Sequence, residues 1–338
     1  MNRCVRLVSH PVGTISKTDL KLTNEEIPKA ADGQVIVKNL YASIDPTHRI
    51  WMNGKKAQYM DPVPLGDIMR AATVGVVVES KNDAYPVGKK VFGFGGICDF
   101  YVGIPGVTLV EMCACESDTE IEDTFELTYG GLIIGLTAWH GINKIIEPKP
   151  SDVVVISGAA GAVGSLAGQL AKSRGATVVG IAGGAEKCKY VTETLGFDYA
   201  IDYKTENIEE KLKEYAPDGV DGYFDNVGGD STEAVLMNAK NGMAMALCGS
   251  ISEYDDNWTG IKNFNMILMR RVKIQGFICL DHANELAEAR ADMVKLKKEG
   301  KLVVQEDMRE GIENYVDVVN QLFCGGNKGK LMLKINDA

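Results

Sequence analysis

Histidine is scarce in this chain. There are four in 338 residues, at positions 10, 48, 140 and 282, and no two stand at a metal-ligand spacing. A catalytic zinc site built on neighbouring histidines is therefore not expected. The eight cysteines, at 4, 98, 113, 115, 188, 248, 279 and 324, form no framework of the kind that staples small secreted domains. Reduced thiols are expected instead. Cys113 and Cys115 are the one close pair, but C-x-C falls short of the C-x₂₋₄-C of structural zinc sites, and no second pair follows. No metal is expected. Long apolar runs are missing too: none approaches the roughly 20 residues that cross a bilayer. The segment Met1–Val8 has no apolar core of signal-peptide length. A cytoplasmic protein without a membrane partner is expected. Positive charge is in deficit, with 36 Lys and Arg against 46 Asp and Glu and a net charge of −10. That balance argues against a nucleic-acid groove.

What the chain does carry is concentrated at Asp152–Ser165. The β-branched run Val153–Ile156 reads as a buried parallel strand. A turn of small residues follows, and then an amphipathic helix from about Gly161 to Lys172. Ala159, Gly161 and Gly164 occupy the three positions of the dinucleotide fingerprint G-x-G-x-x-G. These positions serve a tight turn, backbone approach to a pyrophosphate, and close packing of helix on strand. The N–H groups opening the helix, here Ala162, Val163 and Gly164, would face the phosphates. A second strand at Thr177–Ala182 completes the strand–turn–helix–strand context that the fingerprint needs.

The tip of that second strand bears on cofactor choice. An NAD site places an Asp or Glu there to accept from the ribose 2′-OH. This chain has Ala182-Gly183-Gly184-Ala185, with Lys187 just beyond. A cation attracts a 2′-phosphate where a carboxylate would repel it, so NADPH is expected. Lys187 reads equally as an ordinary solvated helix lysine when taken alone.

Along the rest of the chain, Gln34–Tyr41 and Ala72–Glu79 read as strands and Val87–Gly93 as a turn into a further strand, punctuated by Gly and Pro in the pattern of a small barrel-like domain. A helical entry lies at Gly130–Gly141. Strand and helix then alternate through Tyr199–Asp202, Gly222–Val227, Met243–Cys248 and Val272–Phe277, with helices at Lys187–Leu195, Glu209–Tyr215 and Glu285–Lys298. Such alternation specifies an α/β fold: a doubly wound, parallel, six-stranded sheet. Leu302–Asp307 and Lys330–Ile335 read as strands returning to the first domain. The expected division is a β-rich domain of residues 1–122 and 303–338 around a dinucleotide-binding domain of 123–302.

Taken together, Ser43–Pro46 with Arg49, Gly135–Ala138, Gly158–Ser165, Glu186 and Lys187, Asp202–Thr205, Asp225–Gly229, Cys248–Ser252 with Tyr254, and Gly326–Lys330 resemble the medium-chain dehydrogenase/reductase superfamily. The resemblance runs nearly end to end. It is to the zinc-independent branch of prostaglandin reductases, alkenal double-bond reductases and curcumin reductases. It implies a GroES-like barrel beside a Rossmann domain, and no catalytic zinc: the ligand positions of zinc-dependent relatives fall on Asp45, Ala71 and Ala72. It also implies NADPH-dependent reduction of the C=C bond of a small enal or enone, by hydride addition to the β-carbon.

For the site, the resemblance implies Tyr254 as hydrogen-bond donor to the developing enolate oxygen, with the cofactor ribose as second donor. Tyr59 would stand at the mouth of the substrate cleft. By themselves, Tyr254 among Glu253, Asp255 and Asp256 also reads as a surface loop tyrosine, and Tyr59 as a packing residue. His48 is read as wall-lining. Cofactor contacts are implied at Thr137, Gly161, Ala162, Val163, Gly164, Lys187, Tyr203, Asn226, Cys248, Gly249, Ser250, Ile251, Phe277, Ile278 and Asn327. Gly184 stands where relatives often carry a Ser, which removes one hydroxyl from the 2′-phosphate site. A two-fold homodimer is expected through the strand within Met269–Cys279, at the edge of the sheet. Two other functions fit the same fold: an NADPH quinone reductase, and an NADPH-binding structural protein with negligible turnover.

Overall fold

The computed structural model describes residues 1–54, 59–111, 124–254 and 260–337. The Cys113 and Cys115 pair lies outside the described residues. The chain divides into two compact units, one of Met1–Leu127, Glu306–Asn327 and Leu331–Ala338, the other of Thr128–Gln305 and Lys328–Lys330.

The first unit opens with β1 (Asn2–Leu7), β2 (Leu20–Glu25), β3 (Val35–Ser43), α1 (Thr47–Trp51), β4 (Thr73–Ser80), β5 (Lys90–Gly93), β6 (Phe100–Gly103) and β7 (Leu109–Glu111). β3 is its centre, pairing antiparallel with both β4 and β6. Its sequence Val35-Ile-Val37 is buried on both faces, as a central strand requires. Val35, Val37, Val77, Val91 and Leu109 pack in one cluster with the thiols of Cys4 and Cys98. Among the described residues Arg49 is the largest fully buried side chain. It projects from α1 and donates to the carbonyls of Gly13 at 3.1 Å and Pro11 at 3.1 Å, pinning that loop.

The second unit runs through α2 (Gly135–His140), β8 (Val153–Ser157), α3 (Ala162–Ser173), β9 (Thr177–Ala182), α4 (Ala185–Lys189), β10 (Tyr199–Asp202), α5 (Ile208–Tyr215), β11 (Val220–Asp225), α6 (Gly229–Met237), β12 (Ala239–Leu247), α7 (Asn265–Arg270), β13 (Lys273–Gly276) and α8 (Leu286–Lys298). Its six strands pair in the order β10-β9-β8-β11-β12-β13, all parallel. The order reverses between β8 and β11, which opens a crevice at their carboxyl ends. Leu166, Ala167, Leu170 and Ala171 of α3 are buried at helical spacing. A Cβ on Gly168 would lie 1.8 Å from the Phe197 ring, so only glycine lets the helix approach so closely. The first unit resumes with β14 (Glu306–Glu310), α9 (Tyr315–Cys324) and β15 (Lys330–Lys334), and β15 pairs antiparallel with β3.

Two expectations need correction. The segment expected to be a strand at Leu302–Asp307 becomes one only at Glu306. Gln169 explains the delay: its amide accepts from Val303 N–H at 2.6 Å and donates to Val303 O at 2.9 Å, so this backbone is satisfied without a ladder partner. The single helix expected at Lys187–Leu195 is α4 followed by a wider π turn at Tyr190–Thr194. The Thr192 hydroxyl donates to the carbonyls of Cys188 at 3.2 Å and Lys189 at 3.3 Å, an intrusion that loosens the ladder there. Among the described residues, no helix is long and apolar enough to cross a membrane.

Candidate active site

The crevice begins at the β8–α3 turn. Gly158 takes φ +60° and its carbonyl accepts from Gly161 N–H at 2.9 Å. A Cβ on Gly164 would lie 2.3 Å from that same carbonyl, which accounts for the third glycine. Ala159, fully buried, fills the first fingerprint position without strain; its N–H donates to Ile181 O at 3.1 Å. Gly161 caps α3 without a side-chain hydrogen bond, so the N–H groups of Ala162, Val163 and Gly164 open toward a ligand. This twelve-residue helix adds its dipole. A turn so shaped fits a diphosphate. The late motif arrives at the same place: Gly329 bridges Gly161, and its N–H donates to Ala160 O at 2.9 Å. Asn327, buried, lies two residues earlier.

At the tip of β9, Gly184 takes φ +99° and begins α4, whose first turn carries the half-buried Lys187. The exposed Tyr203 covers Gly183 so closely that a Cβ there would meet its hydroxyl at 2.8 Å. Tyr203 thus packs on Gly183, and Lys187 N–H donates to the carbonyl of the adjacent Gly184 at 3.1 Å. An acid comes near from a direction the local sequence does not reveal. Asp202, at the end of β10, accepts from Gly184 N–H at 2.7 Å and Lys204 N–H at 3.1 Å. The hydrogen bond from Gly184 is the main cause holding this carboxyl below the usual aspartate range. Its Oδ1 is thus taken up by backbone N–H groups of two loops. Burial pushes the neighbouring Cys188 thiol up to about 11, so it is not a reactive thiolate.

At the tip of β11, Asn226 N–H donates to Ser157 Oγ at 2.8 Å, and Asn226 Nδ2 to Ser157 O at 2.7 Å. The loop after β12 is laced to this one. Cys248 and Gly249 N–H both donate to Asp225 O, at 2.9 and 3.0 Å, and Ile251 N–H donates to Asn226 O at 3.3 Å. Leu247, Cys248, Gly249, Ser250, Gly276, Phe277, Ile278 and Asp281 line a cleft of about 390 Å³. Five residues expected to meet the cofactor are among them. Burial drives the Cys248 thiol far above its ordinary pKa, which leaves it neutral. Tyr254 ends the short turn that follows, and its hydroxyl oxygen accepts from Ser250 N–H at 3.3 Å. Thr137, buried in α2, turns its hydroxyl back to Ile133 O at 2.5 Å.

The other unit holds Tyr59, whose hydroxyl accepts from Trp51 Nε1 at 2.9 Å. The Arg70 guanidinium sits over the same indole ring, 5.3 Å from its centroid. His48 is fully buried, stacked on Trp51 and 2.9 Å from the Tyr315 hydroxyl through Nδ1.

Two places in the described residues bear on metal ligation. Asp45, Ala71 and Ala72 offer one carboxylate, which accepts from the Ser43 hydroxyl, and two buried methyl groups. That donor set does not fit zinc. His140 and His282, far apart in sequence, do come together with Glu285, with ligand atoms within 4.8 Å of one another. Their rings stack, however, with centroids 3.6 Å apart and planes inclined by 26°. Lone pairs in stacked ring planes run side by side and do not converge on one ion. His140 Nδ1 meets Glu285 Oε2 at 2.7 Å, making this a carboxylate-tethered imidazole stack.

Residues 3–111 match the family model described as the N-terminal domain of oxidoreductase, and residues 162–295 the one described as zinc-binding dehydrogenase. The NADPH-dependent curcumin reductase of Escherichia coli (strain K12) is 33% identical over 99% of this chain and 97% of its own length. The NADP(+)-dependent 2-alkenal reductase of Nicotiana tabacum is 33% identical over 99% of this chain and 98% of its own. CurA from Vibrio vulnificus, solved in complex with NADPH, superposes with a TM-score of 0.92 at 34% identity, covering 99% of this chain and 100% of that one. This chain belongs to the medium-chain dehydrogenase/reductase family of oxidoreductases, in the branch of the curcumin, alkenal and prostaglandin reductases.

Proposed function

We propose that this chain is an NADPH-dependent reductase of the C=C bond of α,β-unsaturated aldehydes and ketones. NADPH is supported by the cofactor of the relatives and by the local chemistry. The α3 N-terminus receives the diphosphate, and Lys187 and Tyr203 beside Gly183 receive the 2′-phosphate.

The observation that carries the reaction class is the Tyr254 hydroxyl, held at Ser250 and Gly249 on the cleft wall. When bound, the dihydronicotinamide supplies a hydride. An enone accepts it at the β-carbon because conjugation moves the electron pair to the carbonyl oxygen, and a proton then reaches the α-carbon. Tyr254 serves that oxygen. A phenol carries a donor O–H on an apolar body, and accepting the Ser250 N–H strengthens that O–H as a donor. Apolar Phe277 and Ile278 on the cleft wall lower the local dielectric, so a preorganised donor is worth more there than in water. Tyr59 acts on substrate binding in this reading.

The same reading includes a cytosolic homodimer. Among the described residues β13 pairs on one side only; all four of its residues are exposed, Ile274 among them, and nearby Phe264, Leu268 and Met269 expose apolar surface. A second copy of the chain, adding its own edge strand across a two-fold axis, would cover all of it.

The function is tested by following NADPH absorbance with an enal, an enone and a quinone in parallel. Turnover of the enal and enone supports it; turnover of the quinone alone overturns it.

A further inference from the structure

Asp225 is fully buried at the end of β11, and its carboxylate is the most heavily used acceptor in the crevice. Oδ1 accepts from Tyr223 Oη at 2.9 Å, Ser157 Oγ at 3.0 Å, Val227 N–H at 2.9 Å and Gly228 N–H at 2.9 Å. Oδ2 accepts from Thr232 Oγ1 at 2.5 Å. None of these partners is cationic. Tyr223 is wholly buried, and that burial holds it protonated as a donor. The charge is offset by the N-terminus of α6, the nine-residue helix beginning at Gly229.

A buried carboxylate without a cation is costly, and such groups persist where they fix one conformation. Here the conformation is unusual. Gly228 and Gly229 take φ +75° and +56° in succession, and the carboxylate grips the two N–H groups that begin this turn.

The turn in turn holds the loop that ends in Tyr254. Asp225 O accepts from Cys248 and Gly249 N–H, Asn226 O from Ile251 N–H, and Val227 O from Ser252 N–H at 3.1 Å and Ser252 Oγ at 2.6 Å. Slack is absent at the far end. A Cβ on Gly249 would lie 2.9 Å from the Tyr254 hydroxyl and 3.4 Å from Asn226 O. We infer that Asp225 is the positioning residue for Tyr254: it touches neither cofactor nor substrate, and it sets where the phenol stands by fixing residues 226–228 beneath the 248–254 loop. This rests on the proposed role of Tyr254 as donor.

A double-mutant cycle tests it. Asp225→Asn preserves shape, and its amide oxygen and nitrogen can face the Oδ1 donors and a reoriented Thr232 hydroxyl, but the grip of a full charge is gone. Alone it should lower kcat on an enone about 10-fold, while the NADPH dissociation constant, read by fluorescence, moves less than about 3-fold. In the Tyr254→Phe background the same change should cost no more than about 2-fold, because the group it positions is already gone. Ser157→Ala removes one donor to Oδ1 and the acceptor for Asn226 N–H, with less risk to folding. It should behave likewise to a smaller extent, and it carries the cycle if Asp225→Asn does not fold. Losses that multiply fully in the double variant, or full kcat in both Asp225→Asn and Ser157→Ala, overturn the inference. Full kcat in Tyr254→Phe alone instead overturns the donor reading on which it stands.

Discussion

The backbone N–H of Ser250 donates to the phenolic oxygen of Tyr254 across 3.3 Å, which leaves the ring held by its oxygen and by the short turn between them. Tyr254→Phe keeps the packing and deletes the O–H. One oxyanion donor is worth about 10²–10³ in kcat in a dry, preorganised site. With a ribose hydroxyl remaining as a second donor, the expected loss is about 10- to 100-fold, with NADPH binding nearly unchanged. The proposed role of Tyr59 in substrate binding predicts that Tyr59→Phe acts chiefly on the enone KM, since a binding contact serves ground and transition states alike. Steady-state kinetics on one enone checks both.

Lys187 lies in the first turn of α4, its N–H donating to Gly184 O at 3.1 Å; Tyr203 packs on Gly183, and the Asp202 carboxylate accepts from Gly184 N–H. A charge-assisted contact to a 2′-phosphate contributes about 1.5–3 kcal/mol, or roughly 10- to 150-fold in affinity. Lys187→Ala should raise the NADPH KM by a factor in that range and leave the NADH KM almost unchanged. Equal losses with both cofactors would remove the 2′-phosphate assignment.

Neither Asp45 beside Ala71 and Ala72 nor the stacked His140 and His282 with Glu285 forms a converging donor set for a catalytic metal. Enone reduction should survive prolonged dialysis against a strong chelator, and the purified protein should hold far less than one zinc per chain. Loss of activity on dialysis, restored by zinc, would contradict this.

The exposed edge β13 and the apolar side chains Phe264, Leu268 and Met269 are expected to be covered by a second chain. Light scattering at micromolar concentration should give twice the chain mass, and Ile274→Asp should shift it toward the monomer. A wild-type monomer at that concentration would exclude the dimer.

The parts of this fold carried by short-range pattern were legible in the sequence. The run Val153–Ile156, the small residues through Gly164 and the strand Thr177–Ala182 each state their geometry locally, because packing on both faces of a parallel strand and close helix approach tolerate few residue types. What depends on residues distant in sequence was not legible. An Asp ending a strand looks the same whether it faces solvent or, as Asp225 does, gathers donors from Ser157, Tyr223 and Thr232. Asp202 reaches the β9 tip from the neighbouring strand, so a search confined to residues 182–185 misses it. His140 and His282 stack though no spacing relates them. The late start of β14 turned on one glutamine of α3.

The central claim is C=C reduction, and the most direct measurement follows the hydride itself. An enone is incubated with NADPH deuterated at the transferring C4 position, and the product is analysed by mass spectrometry and NMR. The expected product is a saturated ketone carrying one deuterium on the former β-carbon, with the carbonyl intact. An allylic alcohol with deuterium on the carbinol carbon, or NADPH oxidation that leaves the enone unlabelled, would contradict it.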